Sequence, residues 1–136
     1  MDVDLDALYA VLVGWIVGGT AHYRPYAQLS EDYAARTGHH FDPHLSWDAP
    51  LGALNQRLSR VGAPALSALV VLKASMRESP EPGGGFWGSA DTVPSRPRNA
   101  MARLATWSRI VGEVERYDWP DSLSALMQRV PPDRQA

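Results

Sequence analysis

Three of the four histidines fall in one short run, His39-His40-Phe41-Asp42-Pro43-His44, and with the Asp42 carboxylate they make the densest set of potential metal ligands in the chain. Imidazole nitrogens beside a carboxylate are what a zinc or iron site takes. The spacing argues against one: Pro43 breaks regular structure, no HExxH pattern or paired His-Asp motif occurs, and no second ligand cluster lies elsewhere. The expectation is a structural loop with no cofactor, and the alternative is a small metal-dependent enzyme using His39, His40, Asp42 and His44. Ser67 is a second candidate nucleophile, yet no nucleophile elbow and no triad-like order surrounds it. Gly83, Gly84 and Gly85 are followed by Phe86 and Trp87, without the Gly-Lys-Ser/Thr ending of a phosphate loop. The chain has no cysteine, so thiolate metal sites, disulfides and cysteine nucleophiles are excluded. Catalysis is therefore not the expected activity.

Binding chemistry is better represented. Asn55, Gln56, Arg57, Ser59 and Arg60 share the polar side of one expected helix, and such side chains can meet base edges or phosphates. Arg96, Arg98, Arg103 and Arg109 follow one another with no acid between them, although Glu113, Glu115, Asp118 and Asp121 come directly after and offer ion pairs instead. The formal net charge is −2, so no global field draws the chain to a phosphate backbone, and nucleic-acid binding would have to be local. Five tryptophans are more than a core of this size requires, and one or two exposed on a single face, with Trp87 as a candidate, would mark a protein-binding hot spot. The partner is thus either nucleic acid or another protein, the latter fitting an inhibitor or adaptor of phage or mobile-element type.

The elements that must carry these residues read as follows. With 136 residues, 45% of them hydrophobic, the chain is expected to form one domain with a real core. The uncharged run from Ala7 to Tyr23 holds too few apolar residues to span a bilayer and is preceded by Asp2, Asp4 and Asp6, so residues 5–17 read as a core helix ended by Gly18-Gly19, and a cytoplasmic protein without membrane contact is expected. Pro25 and Gly38 bracket a second helix with Tyr26, Leu29 and Tyr33 on one face. A third runs from Asp48, as N-cap, to Arg60, with Leu51, Leu54, Leu58 and Val61 inward and Gly62 at its end. The β-branched run 66–73 reads as a strand that turns at the triple glycine into a second strand. Ser95 caps a long helix whose inner face is Met101, Leu104, Trp107 or Ser108, Val111 and Val114, and a short helix over 122–130 follows. The fold class is α+β, mainly helical, with a small antiparallel sheet: a core helix over 5–17, a winged-helix-like region over 25–88 and C-terminal helices over 97–130.

Helix, loop, helix, strand, Gly-rich turn and strand is the order of a winged helix. The residues Pro50-Leu51-Gly52-Ala53-Leu54, Ala63-Pro64, Leu66-Ser67-Ala68-Leu69-Val70-Val71 and Gly83-Gly84-Gly85-Phe86 resemble the DNA-binding half of the alkylguanine-DNA alkyltransferases and alkyltransferase-like proteins over about residues 26–87. That family carries Val-Gly-x-Ala-Leu on its recognition helix, then Pro-Cys-His-Arg-Val-Val, then Gly-Gly-Tyr. Ser67 stands where the family has its alkyl-accepting cysteine, Ala68 and Leu69 stand for His-Arg, and Ala49 matches the arginine that displaces the damaged base. The resemblance implies a scaffold from which alkyl transfer has been removed, which favours binding: the Asp48–Arg60 helix, the glycine wing and the Arg96 to Arg109 stretch would make the contacts.

Overall fold

Helix α1 (Leu5–Val17) sets the layout because it is apolar on nearly every side and buries Leu8, Tyr9, Leu12 and Trp15. In the computed structural model, which describes residues 3–17, 23–73 and 80–129, α1 packs against α2 (Tyr26–Thr37), α3 (Asp48–Arg60) and α5 (Leu123–Met127). Asp4 caps its start, Oδ1 accepting from the Asp6 and Ala7 N–H groups at 3.0 and 3.2 Å. Two polar atoms carried inward by α1 are satisfied across the core: Trp15 Nε1 donates to Asp32 Oδ2 at 2.7 Å and the Tyr9 hydroxyl donates to the Pro120 carbonyl. The expected Gly18-Gly19 stop lies outside the described residues. Among those described, no helix is long and apolar enough to cross a membrane.

Glycines end two helices as their sequence position implies. Gly38 takes a φ of 77° and returns its N–H to the Ala34 carbonyl at the end of α2. After α3, Gly62 takes a φ of 72° and the Ala63 N–H reaches back to the Leu58 carbonyl at 3.0 Å, closing the terminal carbonyls. The long helix α4 (Ala100–Arg116) starts later than expected. Its cap is Asn99, whose Oδ1 accepts from the Met101 and Ala102 N–H groups, and not Ser95. Met101 then falls on the solvent side, 74% exposed, while Trp107, Ile110, Val111 and Val114 face the core. Ser122 caps α5, which is shorter than the 122–130 expected; residue 130 lies outside the described range.

The mainly helical class with a small sheet is observed, but the sheet is parallel and not antiparallel. Two-residue strands β1 (Arg24–Pro25) and β2 (Val70–Val71) pair in register Arg24↔Val70 and Pro25↔Val71. The expected strand over 66–73 divides: Leu66–Leu69 is a 3-10 turn and only Val70–Val71 is extended. Every residue of this run from Leu66 to Val71 is buried, so it shows no alternation that would separate strand from turn. The chain does return alongside, but ahead of the glycines and not beyond them, in a single antiparallel bridge between Val71 and Pro82 and a bond from Leu72 N–H to the Glu81 carbonyl at 2.9 Å; no strand follows the triple glycine among the described residues. Pro82 has no N–H, so no ladder grows from it. The residues between these two segments, 74–79, lie outside the described residues.

Candidate functional site

The triple glycine forms no projecting wing. Gly84–Phe86 is a 3-10 turn laid back on the protein, where Gly83 N–H donates to the Tyr26 hydroxyl at 3.1 Å. A Cβ on Gly83 would stand 2.5 Å from Tyr26 Oη, and one on Gly85 would run into the Asp48 carboxyl. Both positions need glycine because side chains from the starts of α2 and α3 occupy the space. Burial pushes the Tyr26 hydroxyl above its usual range, and the nearby Asp48 carboxylate adds to this against the Gly83 N–H. Phe86 and Trp87 anchor the return inside, as the sequence implies.

Behind this turn lies the one buried polar node among the described residues. Asn55 is fully buried on the inner side of α3, where Nδ2 donates to Ser67 Oγ at 2.6 Å and to Ser89 Oγ at 3.0 Å. Its Oδ1 accepts from the Ser67 N–H at 3.5 Å. The node ties α3, the 3-10 turn and the segment after the glycines together. The cavity it borders, lined also by Tyr26, Asp48 and Gly85, has an internal volume of about 10 Å³, which fits a single water and no substrate. Asn55 therefore leaves the set of partner-contacting residues: it is a structural group.

The other expected contacts sort by exposure and by partner. Arg103 is largely buried, its Nε on Glu81 at 2.8 Å and its Nη1 on the Pro97 and Arg98 carbonyls. Arg96 shares Glu81 at 3.4 Å, and Arg109 pairs with Glu113 one turn on. Glu81, well upstream of the run, and Glu113, one of the four acids expected to pair with it, thus absorb most of it, leaving Arg98 exposed without an ion pair among the described residues. Trp87 is 9% exposed, with its indole N–H unpartnered among the described residues. Trp15, Trp47 and Trp107 are buried as well, and Trp119 is half-buried with Nε1 on the Val114 carbonyl. No tryptophan stands out as a hot spot, and that argument for a protein partner loses its basis.

Gln56, Arg57 and Arg60 are exposed on the outer side of α3 beside Ala49 and Ala53. Neither arginine has an ion pair among the described residues. A signal for this face is present in the sequence: from Ala49 to Lys73 there is no acidic residue. His39, His40, Asp42 and His44 are all exposed, Asp42 Oδ1 accepting from the His44 N–H at 2.9 Å. Among the described residues no three metal-ligating side chains come together, there or elsewhere. Searches of protein-family models, of curated proteins and of solved structures find no match to this chain.

Proposed function

We propose that the chain is a non-enzymatic binding module that takes an anionic partner, nucleic acid, on the outer face of α3. The observation that carries the reading is the contrast in how the arginines are used. Arg96, Arg103, Arg109 and Arg129 are each neutralised by a carboxylate of the same chain, whereas Arg57 and Arg60, like Arg36, Arg98 and Arg116, stand exposed without one among the described residues, and Arg57 and Arg60 lie together on one helix face in a stretch without acids. Guanidinium groups left open in this way suit bidentate contact with phosphate. The small side chains of Ala49 and Ala53 let a partner approach the helix backbone on the same face.

The winged-helix resemblance of the sequence favours the same face as the contact element, but the glycine wing and the arginine run do not take part in this reading. The turn at Gly83 to Gly85 is occupied with Tyr26 and Asp48, and the run is mostly ion-paired. The test is a titration of a fluorescently labelled mixed-sequence nucleic acid at low salt, read by anisotropy. Binding at micromolar protein that weakens as salt rises is the expected result. Absence of binding at low salt would overturn the proposal.

A further inference from the structure

We infer that the partner of α3 is a duplex and not a single strand, an inference that rests on the reading of this face as a nucleic-acid contact. Proteins that hold single strands stack successive bases on aromatic side chains, and each stacked base contributes enough that its loss weakens binding by roughly five- to a hundredfold. This chain has five Trp, five Tyr and two Phe, all within the described residues, and none is exposed. The half-buried rings are engaged as well. Tyr23 is packed on Trp107 at 5.3 Å and Phe41 is stacked on Trp47 at 3.8 Å. Tyr117 lies against Trp119 at 4.5 Å, and the Tyr26 hydroxyl is held beneath Gly83. No aromatic platform for bases accompanies the open arginines.

What the face does offer matches a duplex. α3 is a helix of 13 residues, about 20 Å long at the usual rise. Its outward positions Ala49, Ala53, Gln56, Arg57 and Arg60 recur at helical spacing on one side. Two alanines keep the first half of that side low, and the guanidinium groups sit in the second half. A helix with this profile can lie along or in a groove, with the arginines on phosphates and Gln56 at base edges. With only two open cations on the face, binding is phosphate-led and modest, and its logarithmic salt slope should be about −2.

The experiment titrates the full chain into three labelled probes at matched salt: a duplex of about two helical turns and each of its separated strands. The expected result is a duplex bound at least about tenfold more tightly than either strand, with the slope above. Arg57→Ala and Arg60→Ala should each bring the slope toward about −1, while Arg109→Ala, which removes an ion-paired arginine, leaves it unchanged. Circular dichroism of each variant confirms that it is folded. Single strands bound as tightly as the duplex, or more so, would overturn this inference while leaving the proposed function standing. Failure of all three probes would overturn the proposed function itself, and a slope unaffected by both substitutions on α3 would overturn the choice of face.

Discussion

On its inner side α3 presents Asn55, fully buried and bonded to Ser67 and Ser89; on its outer side, one and two residues later, it presents Gln56 and Arg57 to solvent. Read along the sequence, the three look like one polar patch. In three dimensions a single 100° step per residue carries Asn55 to the glycine turn and leaves its neighbours outside. The lesson is that polar character on a helix does not distinguish a structural group from a binding group. The census of partners does, because a buried amide without its hydrogen bonds would be costly, whereas an exposed guanidinium without a carboxylate is free to meet another molecule.

The largest expected effect is on the inner face. Asn55→Ala leaves two serine hydroxyls at a buried site without their donor, and unfolding by urea should show a loss of about 2–3 kcal/mol. A change within about 0.5 kcal/mol would mean that the node is not what holds the glycine turn to α3. Next comes the turn itself. Gly83→Ala forces a methyl group onto the Tyr26 hydroxyl and should cost about 1–3 kcal/mol. Adding Tyr26→Phe removes the atom in conflict and should return part of that loss, so the two substitutions are non-additive when measured as a double-mutant cycle.

A cap and a phenol give smaller effects. Asn99→Ala removes the side-chain acceptor of the Met101 and Ala102 N–H groups and should lower stability by about 1 kcal/mol. Burial pushes the Tyr9 hydroxyl up to about 12, against an ordinary value of 10. Its folded value is the raised one, so the stability it contributes is fully present below pH 10 and is lost as pH rises from 10 toward 12. Chemical denaturation across that range should show the decline in the wild type and a shallower one in Tyr9→Phe. The smallest effect on stability belongs to the outer face: Arg57→Ala and Arg60→Ala should each leave the unfolding free energy within about 0.5 kcal/mol of the wild type.

Much of the helical frame was legible. Leu5–Val17 and Asp48–Arg60 are helical as expected, because apolar spacing constrains such segments locally, but Asp48 is the first helical residue and not the cap, which is Trp47 and makes no side-chain cap bond. The sheet was not legible, for a physical reason. Val70 and Val71 pair with Arg24 and Pro25, more than forty positions away, and nothing in a two-residue strand containing proline announces a partner. The start of α4 was misread because Ser95 and Asn99 are both capping types, and only the geometry selects Asn99. At the candidate site the acid-free stretch from Ala49 to Lys73 is a signal that the reading of the sequence missed, while the burial of Asn55 and the pairing of Arg103 with Glu81 depend on distant segments. The glycines illustrate the same limit. Their tolerance for close approach could be read from the sequence, but what approaches them, Tyr26 and Asp48, could not.

The central claim is that the two faces of α3 are separable, one holding the fold and the other meeting a partner. Its most direct test is a low-salt anisotropy titration of labelled duplex with the charge-reversed variant Arg57→Glu/Arg60→Glu beside the wild type, after confirming that the two unfold at the same denaturant concentration. The account predicts that the folded variant loses duplex binding. Binding as tight as that of the wild type would contradict it.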